Sequence, residues 1–201
     1  MENDVFLNSL SDKVWKTKKA RFTAAKRMER FYSFSNISMA LTSASLVGVN
    51  LIPLLEDKCC PRLTSIITIL TIVLSVYVLV ISLSLTQARF DNKAENYHAC
   101  GCELTEYNDI LQLYIKENKI LDIEEKKECI NKYHSIIKRY NLNHSSVDYV
   151  RALLECDDKS IGKLARLKNH LQWYIFNCGT IFILIAIIVP IIVPIIYIFY
   201  L

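Results

Sequence analysis

The sequence predicts an all-α membrane protein with a two-helix transmembrane hairpin, a cytosolic helical region and a third, C-terminal transmembrane helix. The main reason is its charge-free runs, because no Asp, Glu, Lys or Arg occurs in residues 31–55, 63–88 or 169–201. Each run is as long as the roughly 20 apolar residues that a transmembrane helix needs. All 24 basic and 20 acidic residues lie elsewhere in the 201-residue chain, a distribution that excludes an ordinary soluble globular protein. Only four glycines and four prolines occur, which argues against β-rich folds and glycine-rich phosphate loops.

The three predicted spans differ in polarity. Residues 63–85 are rich in Ile, Leu and Val, and residues 173–201 are almost purely apolar from position 181 onward. The first span, residues 32–55, carries several Ser, Thr and Asn side chains, which find no partners in lipid and should face protein or water. A secretory signal peptide is the competing interpretation of this region. The 30 residues before it are too long and too polar for a signal peptide's basic start.

Basic residues beside the spans predict the orientation. Lys26, Arg27 and Arg30 end a basic cytosolic N-terminal helix, residues 1–31, and would lie at the membrane surface. The loop between the first two spans has balanced charges, whereas basic residues flank the region 86–172 at both ends. We therefore expect a multi-pass protein of the bacterial inner (plasma) membrane. Its N-terminus and residues 86–172 would be cytoplasmic, and its C-terminus would be extracytoplasmic.

The region 86–172 reads as three helices. Apolar and aromatic residues recur at spacings of mainly three and four between Phe90 and Tyr114, with an interruption expected at Gly101. Asp122, with Glu125 three residues later, predicts the start of a second helix that presents Ile130, Tyr133 and Ile137 on one face. Ser145 and Asp148 resemble a capping box that begins the third helix, which carries Val150, Leu153, Leu154, Ile161, Leu164 and Leu167.

Two stripes run along the first span. Small residues recur every fourth position at Ala40, Ala44 and Gly48, a spacing that lets helix backbones approach closely. Polar residues recur every seventh position and drift only about 20° per heptad. They are Asn36, Ser43 and Asn50. The sequence thus predicts a helix-packing face beside a pore-lining face, and hydrogen bonding within the protomer's own bundle is the alternative.

The second span offers further pore-lining candidates at heptad spacing. They are Thr64, Thr68, Thr71 and Ser75. Serine and threonine can also bond carbonyls of their own helix, so a purely structural role stays open.

No motif indicates catalysis, a cofactor or a metal. The chain lacks the GxSxG, HExxH and Walker patterns, and the three spans contain no acidic or basic residue that would suggest proton transfer. We expect no enzyme. His98, Cys100 and Cys102 leave metal binding open, although their spacing does not match the familiar CxxC zinc sites. The basic run before the first span fits lipid headgroups better than nucleic acid, so no direct nucleic-acid contact is expected.

The order of these features resembles the SLATT superfamily, the membrane effector domains of bacterial conflict systems. Trp15, Arg21 and Arg27 precede a serine-rich first span, and a short loop and a long second span follow. The most specific part is the cluster Asn143, His144, Asp148 and Tyr149. It is similar to a sub-family that has a helical cytosolic insert and an additional C-terminal span.

The resemblance implies a pore-forming or membrane-disrupting effector of an anti-phage, abortive-infection type of system. It would act as a homo-oligomer in the lipid bilayer. A nucleotide second messenger, or a sensor or reverse-transcriptase partner protein, would activate it through the cytosolic helices. Asn143, His144, Asp148 and Tyr149 are the candidates for sensing that signal or partner, and a turn with a helix cap is an equally adequate interpretation of them. The alternative function is a membrane-anchored interaction or scaffold module without conductance.

Overall fold

The computed structural model describes residues 2–55, 61–142, 145–155, 164 and 166–172. It contains five helices, and residues 166–172 are helical as well. They are α1 (Glu2–Leu55), α2 (Pro61–Ala88), α3 (Phe90–Lys116), α4 (Ile123–Tyr140) and α5 (Ser146–Glu155). No strand occurs in these ranges, so the all-α class is confirmed for the described chain.

The chain divides into two compact units. The first unit comprises Met1–Glu29 and Asp91–Trp173, and the second comprises Arg30–Phe90 and Tyr174–Leu201. The single helix α1 supplies its first half to one unit and its second half to the other.

The core of the first unit is formed by α1, α3 and α4. Leu7, Leu10 and Val14 of α1 pack in one cluster with apolar and aromatic residues of the other two helices. These partners are Cys100, Leu104, Tyr107, Leu111, Tyr133 and Ile136. Cys100 fills the gap of seven that separates Tyr97 from Leu104 in the apolar pattern of α3.

Helix α4 begins where the sequence predicted. The Asp122 side chain accepts a hydrogen bond from the Glu125 N–H at 2.7 Å, and the Glu125 carboxylate accepts one from the Asp122 N–H at 3.0 Å. This capping box satisfies two of the amides that a helix start leaves unpaired. The buried face differs slightly from the prediction, since Ile136 is buried with Tyr133 while Ile130 is exposed.

The predicted interruption at Gly101 is wrong. Helix α3 continues through Gly101, and the break lies instead at Arg89, whose φ of 48° separates α2 from α3. Gly101 serves packing: a Cβ there would lie 2.9 Å from Cε1 and Cζ of the Phe22 ring. The missing side chain therefore lets an aromatic ring of α1 approach the α3 backbone closely.

In the second unit, α1 and α2 touch at two levels. The Thr71 hydroxyl donates to Asn50 Oδ1 at 2.9 Å, and the rings of Phe31 and Phe90 meet edge-to-face with centroids 5.0 Å apart. Both helices advance by 19 residues between these contacts, from 31 to 50 and from 90 back to 71. The two segments are therefore antiparallel and in register over that length.

One helix among the described residues is long and apolar enough to cross a membrane. It lies within Thr68–Lys116, where the most apolar window has a mean hydropathy of 2.5 and only 6% of the window is buried. The first predicted span, 32–55, does not meet the same criterion, and the third, 173–201, lies outside the described residues. The transmembrane hairpin and the third span therefore stay predictions.

Candidate functional site

The start of α5 is tied to α1 by a buried ion pair. Arg27 Nε lies 2.7 Å from Asp148 Oδ1, and Arg27 Nη2 donates to Asp148 Oδ2 at 2.9 Å. The Asp148 side chain is fully buried, and that of Arg27 is 13% exposed. Such a two-point guanidinium–carboxylate contact fixes distance and orientation together. It connects α5 to the cytosolic half of the helix that continues into the first predicted span.

Asp148 also helps to begin α5. Its Oδ2 accepts a hydrogen bond from the Ser145 N–H at 3.3 Å, and the Ser145 hydroxyl oxygen accepts one from the Val147 N–H at 3.2 Å. The capping role predicted for Ser145 and Asp148 is therefore present. Of the other candidates for sensing, Tyr149 is partly buried, and Asn143 and His144 lie outside the described residues.

A second arginine is buried nearby without an acidic partner. Arg21 is 2% exposed, and its guanidinium carbon lies 5.6 Å from the centroid of the Tyr97 ring. Within the described ranges, neither Nε nor Nη1 of Arg21 has a hydrogen-bond acceptor. Burial raises the pKa of Tyr97, and the Asp148 carboxylate raises it further, whereas Arg21 and Arg27 lower it. Two guanidinium groups and one carboxylate thus act on the same tyrosine.

A cavity of about 200 Å³ lies beside the first turn of α5. It is lined by Ser146, Val150, Lys168, Asn169 and Gln172. Asn169 is 2% exposed, and its Nδ2 donates to the Val147 carbonyl at 3.0 Å. Asn169 Oδ1 is buried and has no hydrogen-bond donor in the part of the chain that the structure describes.

A second cavity, of about 220 Å³, lies against α3 and α4. Its lining combines Lys119 and Lys132 with Glu125 and Glu128, so its charges balance. The Lys119 ammonium already contacts the Glu125 carboxylate at 3.2 Å.

The polar stripe predicted on the first span is accessible within the protomer. Asn36 and Ser43 are exposed, and Asn50 is exposed while accepting the hydrogen bond from Thr71. Of the second-span candidates, Thr68 and Ser75 are exposed, Thr71 is 3% exposed, and the Thr64 side chain lies outside the described part. The small-residue stripe, Ala40, Ala44 and Gly48, is exposed throughout, and a Cβ at Gly48 would meet nothing within 4 Å.

The buried face of the first span was not identified in the sequence. It consists of Ser35, Ser38, Thr42, Leu46 and Val49. These residues follow spacings of three and four, so the pattern was readable, but three of the five carry hydroxyls and drew no attention as core positions. The Thr42 hydroxyl is satisfied by the Ser38 carbonyl at 2.8 Å. At about 100° per residue, this face lies opposite the small stripe and about a quarter turn from the Asn36 stripe.

The cysteines and histidine of α3 do not converge. The Cys102 sulfur lies 3.7 Å from His98 Nδ1 on the exposed side of the helix, whereas Cys100 is fully buried. In the described chain, no three His, Cys, Asp or Glu side chains come together as a metal site would require. Lys26 and Arg30 are exposed, as expected for residues at a membrane surface, whereas Arg27 is held by Asp148.

Comparison with known proteins places the chain in a family. A family model described as the SMODS and SLOG-associating 2TM effector domain family 5 matches residues 3–200. No curated protein and no solved structure matches the chain. The match spans nearly all of the sequence and confirms the resemblance to SLATT proteins. This chain, an all-helical membrane protein, therefore belongs to the SMODS and SLOG-associating 2TM effector domain family.

Proposed function

We propose that this protein is a pore-forming or membrane-disrupting effector of a bacterial anti-phage, abortive-infection type of system. It acts without a catalytic step, as a homo-oligomer in the inner membrane. Membership in an effector-domain family supports the effector role, and the apolar, largely unburied α2 supports a place in lipid. The observation that carries the pore is the exposed stripe Asn36, Ser43 and Asn50, because polar side chains on a membrane helix need protein or water.

The contacts between α1 and α2 agree with a membrane-crossing hairpin. The Asn50–Thr71 and Phe31–Phe90 contacts are 19 residues apart on each helix. At 1.5 Å per residue this is about 28 Å, close to the roughly 30 Å of a bilayer's hydrocarbon core. The exposed Lys26 and Arg30 precede this segment, so the positive-inside rule puts the N-terminus in the cytoplasm and the C-terminus outside.

The two exposed stripes of the first span suggest how copies assemble. Ala40, Ala44 and Gly48 face away from the buried face, and they leave room for a neighbouring helix to approach closely. The Asn36 stripe lies between these two faces. In a ring built on the small stripe, it would line the water path together with Thr68 and Ser75.

Activation would reach the spans through α1. The ion pair between Arg27 and Asp148 joins α5 to this helix, and α1 runs on without a break to Leu55. A nucleotide signal or a sensor protein that moves α5 would therefore pull on α1. Asn143, His144, Asp148 and Tyr149 would act through this connection.

Leakage from liposomes tests the pore. Purified protein is reconstituted with a trapped dye, and wild type is compared with the triple variant Asn36→Leu, Ser43→Leu, Asn50→Leu. We expect leakage from wild type and its near-complete loss in the variant, because leucine removes the polar lining. Ser84→Leu is the matched control, since Ser84 is an exposed serine of α2 outside the predicted stripes. Equal leakage from the triple variant would assign the pore to another face.

A second candidate function is a membrane-anchored interaction module without conductance. Ile120 and Ile123, at the turn between α3 and α4, are 85% and 72% exposed, which is unusual for large apolar side chains in a cytosolic region. Tight membranes with wild-type protein, together with a partner whose capture is lost in Ile120→Ser, would favour this function over the pore.

A further inference from the structure

The cavity beside α5 has an unmatched positive character. Its described lining contains Lys168 and no acidic residue, unlike the cavity against α3 and α4, where lysines and glutamates alternate. Ser146, the first residue of the ten-residue helix α5, also lines it. Amides at a helix N-terminus carry a partial positive charge and commonly bind phosphate oxygens. The cavity is thus electrostatically suited to an anion.

Asn169 adds a requirement for a hydrogen-bond donor. Its Nδ2 is committed to the Val147 carbonyl, which fixes the orientation of the amide. Its Oδ1 is buried and unpaired in the described chain, although buried acceptors are nearly always hydrogen-bonded. A ligand that presents a hydroxyl or amino group to this oxygen would remove the deficit. The complementary molecule therefore combines an anionic group with a donor a short distance away.

The size of the cavity narrows the ligand further. Its volume of about 200 Å³ is below the roughly 300–1,000 Å³ of sites that enclose drug-sized molecules. We propose that it binds a phosphate ester of headgroup size with a hydroxyl or amino group beside the phosphate. This chemistry is shared by phospholipid headgroups and small soluble phosphate esters. The lipid source rests on the proposed membrane location, because Gln172 directly precedes the predicted third span.

Occupancy of this site would act next to the ion pair that holds α1. Asn169 bonds the carbonyl of Val147, and the following residue, Asp148, is the partner of Arg27. A phosphate held between Lys168 and the start of α5 would bridge residues 166–172 to α5. The site would thus control how firmly α5 is held against α1.

Binding is tested on the full-length protein with two sources of phosphate. In detergent, glycerol 3-phosphate is titrated by calorimetry. In nanodiscs, retained lipids are counted by native mass spectrometry after incorporation in phosphatidylglycerol or in phosphatidylcholine, whose headgroup offers no donor. We expect binding in at least one arm, and Lys168→Gln should weaken it by about tenfold. Lys26→Gln, which removes an exposed charge away from the cavity, should change binding by less than about twofold.

The arms identify the source and separate this proposal from the pore. Selective retention of phosphatidylglycerol assigns a lipid headgroup, and binding of glycerol 3-phosphate alone assigns a soluble ester. Absence of binding in both arms, or equal weakening by Lys168→Gln and Lys26→Gln, overturns the site. Dye leakage is measured on the same preparations. Leakage without phosphate binding would reject the site alone, and binding without leakage would reject the pore alone.

Discussion

Arg27 and Asp148 are 121 positions apart and form two hydrogen bonds between fully or nearly buried side chains. The pair joins helix α1, three residues before the second unit begins, to the first turn of α5. Because a buried carboxylate without its partner is costly, the pair sets where α5 can lie. It also explains why a basic residue at the predicted membrane surface is unavailable to lipid.

Breaking this ion pair should destabilise the first unit. We expect Arg27→Met to lower the free energy of unfolding by about 3–5 kcal/mol, because it leaves Asp148 buried and uncompensated. Urea unfolding in detergent, followed by circular dichroism, measures the loss. The double variant Arg27→Met, Asp148→Leu should recover much of that stability, since it removes both buried charges. A double variant as unstable as the single one would show that the carboxylate is needed mainly to cap α5.

The contact between Gly101 and Phe22 gives a second prediction. Gly101→Ala should destabilise the protein by about 1–3 kcal/mol, because the new Cβ overlaps the Phe22 ring in a packed site. Phe22→Leu in the same chain should reverse much of this loss by making room. The midpoint of thermal unfolding compares the four proteins. A loss that persists in the double variant would place the clash on the backbone instead of the ring.

The helical fold was predictable from local patterns. The capping box at Asp122 and the apolar spacing from Ala94 to Leu111 each specify a helix through neighbouring residues, and both are present in the structure. Gly101 misled the prediction, because a glycine looks like a helix break unless the ring packed against it is known. Arg89 gave no warning of the true break, since nothing in its side chain favours a positive φ.

The candidate site was predictable only in part. The sequence singled out Arg27 and Asp148 separately, for the membrane surface and for sensing, and their pairing depends on tertiary contacts that spacing cannot reveal. Asn169 and Lys168 lie in a charge-poor stretch before the third span and matched no motif. Their significance comes from burial and from an unpaired amide oxygen, both properties of the folded chain.

The cysteines of α3 should differ in reactivity. Cys100 is fully buried, and burial raises the pKa of its thiol, whereas Cys102 is exposed. Maleimide at pH 7.5 should therefore modify Cys102 within minutes and leave Cys100 unmodified in the folded protein. Peptide mass spectrometry of wild type and of Cys102→Ser gives the two rates. Rapid modification of Cys100 in Cys102→Ser would contradict the tight packing of α1 against α3.

The raised pKa of Cys100 also fixes the sign of a pH effect. Above the ordinary thiol pKa of about 8.5, the unfolded chain loses the thiol proton while the folded chain keeps it. The free energy of unfolding should therefore fall as the pH rises above about 8.5, until the folded thiol also ionises. Cys100→Ala should reduce this dependence. A steeper decline in Cys100→Ala than in wild type would show that the thiol is not its source.

The hydrogen bond between Thr71 and Asn50 allows the register of the two predicted spans to be measured directly. A double-mutant cycle with Thr71→Val and Asn50→Leu should give a coupling free energy of about 0.6 kcal/mol, typical of hydrogen bonds between membrane helices. Steric trapping or denaturant unfolding in detergent provides the four stabilities. The same cycle with Ser75→Val in place of Thr71→Val is the control, because the Ser75 hydroxyl bonds the Thr71 carbonyl of its own helix and should show no coupling to Asn50. Coupling to Ser75 but not to Thr71 would mean that α2 is rotated by about one turn along α1, which would also move Thr68 and Ser75 away from the proposed water path.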